Sequence, residues 1–402
     1  MSTKINFILF LLLYLNLPAH LSYSGVYYIS PVGKNAAKGT ENDPIALEKI
    51  EDLFRKNGGG DTYIFLQGDY IGRRINLFPE NSGTPQNPTV LKSKHKYKAR
   101  LHGSPFHNIY VRRDCRWVII DGFTSSGALS TGIKSNADYT VIRNCRIHNN
   151  SLQGIEAHDV VGTVIENNLI EYNGKHPNYD HGIYANGKSL IVRNNIIRFN
   201  ASCGLHMSPQ TSKSIFENNL IYGNFFYGVF LDCPEGGGAN RIVNNTIVQN
   251  GLGIGIKNAN TEVIVNNIIF ENTNWKSKIR PPLFNRVGSN FSNCIIDYNL
   301  WKPAFTGVGP HSISADPDFL DPRKGVFYLN KNSPAIGKGL AKYVPVNDFW
   351  GNKKDVDKPV DIGCFRFDSK LLLPQMRDSW YFQWPFYTEL SEKKPDFWKF
   401  PD

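Results

Sequence analysis

Six glycine-led elements carry the most reactive residue types in this chain. They read Gly132-Ile133-Lys134, Gly154-Ile155-Glu156, Gly182-Ile183-Tyr184, Gly204-Leu205-His206, Gly228-Val229-Phe230 and Gly253-Ile254-Gly255. If each leads a short strand, the apolar residue after Gly points inward, and the residues two and four after Gly point outward. Stacked strands lie about 4.8 Å apart, so equivalent positions form columns. The first outward column is Lys134, Glu156, Tyr184, His206 and Phe230; the second is Asn136, His158, Asn186, Ser208, Asp232 and Lys257. An enlarged loop, residues 174–181, precedes the Tyr184 strand and brings His181 to the mouth of the same face. Asp180 beside it is placed to orient or charge that imidazole, and loops on a rigid scaffold are where binding residues concentrate.

The chemistry that suits this set is removal of a proton from a carbon next to a carboxylate. It needs a base for the C5 proton of a uronic acid, a cation or donor for the enolate-like charge, and an acid for the leaving oxygen. His, Tyr, Lys and Asn can fill those roles. Asp232 and Glu235 could contribute oxygen ligands to Ca²⁺. His148, His176 and His206 have no compact zinc-ligand spacing. No other cofactor is expected, because the chain has neither a phosphate-cradling glycine loop nor a serine nucleophile elbow.

The elements that must position these residues announce themselves by repetition. Two asparagines return inside a short apolar run, as in Ile165-Glu166-Asn167-Asn168-Leu169-Ile170 and Val192-Arg193-Asn194-Asn195-Ile196-Ile197. The first Asn falls at 144, 167, 194, 218, 244 and 266, in steps of 22 to 27 residues, and Asp121 and Asn293 read as degenerate copies at either end. Self-similarity at such a period means stacked repeats. An Asn column lets side-chain amides bond to their copies above and below. Two or three short strands per repeat, without a 3.6-residue period or a leucine framework, give an all-β, single-domain right-handed parallel β-helix. Asp43-Pro44 reads as the start of a short N-terminal capping helix whose face is Leu47, Ile50, Leu53 and Phe54, ended by Gly58-Gly59-Gly60.

The bulk properties bound the rest. The 402 residues carry a net charge of +10, with Lys and Arg scattered rather than clustered. That suits an acidic polysaccharide and argues against nucleic acid. Residues 1–24 read as an export signal: Lys4, an apolar run Ile5–Leu17, Pro18, and small residues Ser22 and Ser24. The run is short for a membrane span, so a secreted or periplasmic, monomeric protein is expected. Residues 25–368 form the β-helix with its cap, and 369–402 an aromatic-rich tail that packs on the solenoid or presents a binding surface. Of the six cysteines, Cys145 and Cys294 fall at the second-Asn position and are expected in the core, while Cys203 and Cys233 lie one coil apart and could pair.

These coils resemble the right-handed parallel β-helix superfamily of secreted carbohydrate-active proteins, which includes polysaccharide lyases and mannuronan C5-epimerases. The likeness spans about residues 26–367, with Tyr28-Ile29-Ser30-Pro31-Val32-Gly33 at the opening and Ser333-Pro334-Ala335-Ile336 and Asp361-Ile362-Gly363 at the close. Asp180-His181-Gly182-Ile183-Tyr184 is similar to a His-Gly-Ile segment of alginate epimerases, which implies a catalytic His181. Gly132-Ile133-Lys134-Ser135 resembles the lysine strand of alginate and chondroitin lyases. The resulting expectation is a lyase cleaving a uronate-containing polysaccharide by β-elimination. Tyr184 would be acid or base, and His181 and His206 base or charge neutraliser. Lys134 and Asn186 would bind carboxylate, and Glu156, His158, Asp232 and Lys257 would complete the substrate-binding set. The alternatives are a glycoside hydrolase, a C5-epimerase, or a non-catalytic glycan-binding solenoid.

Overall fold

In each repeat the chain runs apolar strand, asparagine corner, apolar strand, asparagine corner, loop, and glycine-led strand. The computed structural model describes residues 24–272, 288–302, 309–351, 353–354 and 359–367, and the backbone of 283–285. The expected leader, Ser24 apart, and the aromatic tail lie outside the described residues. Strands assemble into three parallel sheets of 12, 10 and 9 strands, each coil giving one strand to each sheet. Their inward residues stack in register. In the first sheet Ile142, Ile165, Val192, Phe216, Ile242 and Ile264 follow one another. In the third, Ile133, Ile155, Ile183, Leu205, Val229 and Ile254 do so. All are buried. Each such side chain taken from water stabilises the shaft by about 1.5–3 kcal/mol.

The two asparagines of each phrase have different tasks. The first turns the corner between the first and second sheets in the left-handed region, with φ of 55° at Asn144, 56° at Asn167, 55° at Asn194 and 53° at Asn218. Asn tolerates that conformation better than most residues. The second points inward and forms a ladder: Asn168, Asn195, Asn219, Asn245 and Asn267 each donate from Nδ2 to Oδ1 of the next copy at 3.0 Å, ending on Asn299. The same amides also bond backbone carbonyls, for instance Asn219 Nδ2 to Val192 O at 2.8 Å. Buried polar groups are thus satisfied. A second ladder runs through Asn150, Asn173, Asn200, Asn224, Asn250 and Asn272 at 2.9–3.1 Å. It explains the recurrent glycine. A Cβ on Gly204 would lie 2.7 Å from Asn224 Nδ2 and from Ile221 Cγ2, and on Gly182 2.7 Å from Asn200 Nδ2.

Several expectations need correcting. The degenerate copies are misplaced. Asp121 pairs with Arg143, one residue before the corner, and the true last copy is Asp297-Tyr298-Asn299, because Val265 pairs with Asp297. Asn293 instead ends a 3₁₀ turn, Phe291–Asn293. Cys294 is therefore only half-buried, whereas Cys145 is in the core as expected. Cys203 and Cys233 are both free; the Cys233 thiol lies 3.3 Å from Glu262 Oε1 instead. The helix, α1, spans Ile50–Asn57 after a 3₁₀ turn at Leu47–Lys49. Asp43 does not cap it. Its carboxylate takes the Lys38 N–H at 2.9 Å to close a loop, and Ile45–Ala46 is diverted into a strand beside Ile29 and Ser30. Even so, α1 buries Ile50 and Phe54 over the first coil, with Phe54 edge-on to Tyr63.

After the last coil the chain folds back along the shaft. A small antiparallel pair, Phe319–Asp321 with Val326–Leu329, joins Phe349 and Phe365 against the apolar outer face of the second sheet. The corner asparagines clip this segment down. Asn194 Nδ2 donates to Phe349 O at 3.0 Å, Asn218 Nδ2 to Asn347 O at 2.7 Å, Asn244 Nδ2 to Gly363 O at 3.0 Å and Asn266 Nδ2 to Leu340 O at 2.9 Å.

Candidate functional site

The third sheet presents the expected column. Lys134 pairs with Glu156, Glu156 with Tyr184, Tyr184 with His206 and His206 with Phe230 across adjacent strands. The stack continues backward to Tyr110 beside Lys134. His181 joins it from the preceding loop. Its ring lies nearly parallel to that of Tyr184, with centroids 5.6 Å apart and planes at 17°. The His206 ring stands edge-on to both, at 4.4 Å from His181 and 5.2 Å from Tyr184. The Tyr184 hydroxyl bonds to Ser208 Oγ at 3.0 Å.

The hydrogen bonds assign the tautomers. The backbone N–H of Cys203 donates to His181 Nδ1 at 3.2 Å, so that nitrogen keeps its lone pair. Neutral His181 then carries its proton on Nε2, 2.9 Å from His206 Nδ1, and donates there. Neutral His206 is left with its proton on Nε2. His181 stays neutral because burial drives its pKa down to about 2, and a proton on His206 would push it the same way. His181 is 4% exposed, whereas His206 is half-buried. The pair thus consists of an inner imidazole that cannot take up charge and an outer one that it orients.

His181, Cys203 and His206 also bring one ligand atom each within 4.8 Å of the others, a grouping the sequence reading did not foresee. The donor set fits a metal poorly. Metal binding through Nε2 would require a neutral His181 to carry its proton on Nδ1, facing the Cys203 N–H donor. The Cys203 thiol is also pushed up to about 12 by burial, away from the thiolate that ligates.

The remaining sequence candidates divide. Lys134 and Glu156 form a close ion pair, 2.7 Å, partly shielded from solvent, so the lysine is not simply a carboxylate binder. Glu156 Oε2 also takes the Thr131 hydroxyl at 3.2 Å. His107, missed in the sequence, sits near this pair; burial first, then the Lys134 charge, lowers its pKa to about 4. It precedes Ile109 by two residues, as His181 precedes Ile183, and Ile109, Ile133, Ile155 and Ile183 stack in one register; that matching offset could have revealed it. A register shift after Ala157 breaks the second column. His158 is tied to Asp159 at 3.3 Å, and Asn186 accepts the Asp159 N–H at 2.6 Å, so these two brace a bulge beside the site. Asp232 is bound by Lys257 at 3.1 Å, which places a lysine where a Ca²⁺ would go. Asp180 does not serve His181. Its buried carboxylate takes the N–H groups of Lys175 and His176 and lies 2.9 Å from His176 Nδ1, folding the 174–181 loop that delivers His181.

A three-sheet parallel shaft with one chemically varied wall defines the class: a β-helix carrying a site on its flank. A family model described as "right handed beta helix region" matches residues 97–233 and 181–333, more than half of the chain, and the chain belongs to that family. Among solved structures it is similar to the pectate lyase Pel9A, at 16% identity and a TM-score of 0.61 over 86% of this chain and 97% of that one. It is also similar to XylC in complex with xylose, at 11% identity and a TM-score of 0.54 over 85% and 98%. These likenesses establish the fold. No curated protein matches the chain in sequence.

Proposed function

We propose that the protein is a polysaccharide lyase acting on a uronate-containing chain, with Tyr184 and His206 as its catalytic residues and His181 as the positioning residue. The observation that carries this reading is the His181 Nε2–His206 Nδ1 bond of 2.9 Å beside the Tyr184 ring. It fixes a donor, His206 Nε2–H, next to a phenol on an open wall. The donor faces the uronate carboxylate and stabilises the charge that develops as C5 loses its proton. Tyr184, having first released its hydroxyl proton to solvent, takes the C5 proton on its oxygen. The electrons of the C5–H bond form the C4–C5 double bond, the C4–O4 bond breaks, and the tyrosine returns the proton to the departing oxygen. One group serves as base and then acid, so atoms and charge balance. Lys134, shared with Glu156, and Asn186 border the flanking sugars. A pectate lyase among chains of like fold supports a polysaccharide substrate, and the net charge of +10 supports an acidic one.

The test is to incubate the protein with a panel of acidic polysaccharides. Absorbance from unsaturated uronate ends is expected. New reducing ends without that absorbance would mean hydrolysis, an altered epimer ratio without cleavage would mean epimerisation, and none of these signals would leave a glycan-binding solenoid.

A further inference from the structure

A second polar groove lies away from the third sheet, where the folded-back segment 345–351 arches over the outer edge of the first sheet. Its cavity, about 560 Å³, is lined by Glu166, Asn167, Arg193, Glu217 and Trp350 among others. That is within the usual range for small-ligand sites. Glu166, Arg193 and Glu217 are partners on three successive strands. Arg193 commits its guanidinium to Glu166, at 2.8 Å from Nε and 2.7 Å from Nη2. The Glu217 carboxyl has no hydrogen bond or ion pair among the described residues, and burial raises its pKa although Arg193, Arg241 and Lys354 pull the other way. A partly buried carboxyl left without a partner in a cavity marks a place where something binds.

The corner asparagines give a second, independent sign. Asn194 and Asn218 spend their amides on the folded-back segment, and Asn144 bonds to Asp121 at 2.8 Å. Asn167, between them and in the groove, has no side-chain hydrogen bond among the described residues. The groove therefore offers a carboxyl acceptor and an amide that both donates and accepts, set beside the indole of Trp350. Adjacent hydroxyls on a ring with an apolar face need such a set. The lining cations, Lys96 and the Arg193 already paired with Glu166, only balance Glu166 and Glu217, so neither a phosphate nor a nucleic acid finds the basic excess it requires.

We propose that this groove is a saccharide-binding site, separate from the third-sheet wall, in which Glu217 and Asn167 hold sugar hydroxyls and Trp350 packs against the ring face. The site holds whether or not the wall is a lyase.

The test is titration calorimetry of the full-length protein with the neutral probes xylotriose and cellotriose, in a Tyr184→Phe background so that turnover contributes no heat. Glu217→Gln and Asn167→Ala are added singly, with folding checked by circular dichroism and melting. At least one probe should bind, and each groove variant should weaken it about tenfold while leaving turnover in the Tyr184 protein within about twofold. Binding indifferent to both groove variants, or no binding of either probe, would overturn the proposal.

Discussion

The interior asparagine ladder and the outer wall of the third sheet are built on the same coils, yet one repeats and the other does not. From Asn168 to Asn299 every rung of the ladder is the same residue, doing the same thing at 3.0 Å. Along the wall, Tyr110, Lys134, Glu156, Tyr184, His206 and Phe230 all differ from their neighbours. A ladder rung is constrained by the rungs above and below, so any change leaves buried groups unpaired. A wall position meets solvent, and the scaffold tolerates whatever chemistry is placed there. In this shaft sameness goes with a buried, mutually bonded column, and variation with a wall free to take up other chemistry.

That contrast can be broken by substitution. Asn219→Ala strands the Val192 carbonyl and the Asn195 amide that bond to it. It should cost about 4 kcal/mol, at roughly 1–3 kcal/mol per buried group left unsatisfied, read as a lower denaturant midpoint with activity retained by the folded fraction. Tyr184→Phe should do the reverse. Activity on the best polysaccharide should fall about 10²–10⁴-fold, while the melting temperature stays put; an equal loss of stability would mean that the wall is structural.

Acid should separate the two regions in a different way. His181 is held neutral far below the ordinary imidazole value, so below about pH 6.5 the unfolded chain binds a proton that the folded chain refuses. Its contribution to stability is present above that pH and lost as pH falls, by about 2 kcal/mol between pH 6.5 and 5. His181→Gln should flatten the stability–pH slope across that window, and an unchanged slope would place the acid sensitivity elsewhere. The smallest effect is expected at Lys257, three strands from Tyr184 in the third sheet. Lys257→Met should lower stability by about 1 kcal/mol, since the lysine is half-exposed but the Asp232 carboxylate it leaves is largely buried, and should change turnover no more than about threefold.

Much of this was legible in the sequence because a period of 22 to 27 residues makes local patterns mutually confirming. The apolar stacks, an asparagine ladder, the glycine-led strands and the meeting of Tyr184 and His206 follow from it, and the inserted loop 174–181 pointed to His181; the corner role of the first asparagines did not show. What else escaped lay outside the period. The second ladder was overlooked because residues such as Tyr172, Phe199 and Gln249 vary before its asparagines. Asp180 looked like a partner for His181 by adjacency, but its side chain turns toward His176. The groove could not be read at all, since it exists only where Asn347 and Phe349 return to residues 129 and 155 positions earlier in the chain. Pairings that distant leave no rhythm to detect.

The helix over the first coil has a consequence for the molecule's solubility. Three parallel sheets present rows of unpaired amides and carbonyls at their first strands, a ready template on which another shaft could grow. α1 lies against one of these, the strand Ile75–Leu77, with Phe54 seated in the core and no strand edge of its own to offer. Removing residues 47–57 should leave that edge bare and promote head-to-tail association of shafts, read as faster sedimentation than the intact chain.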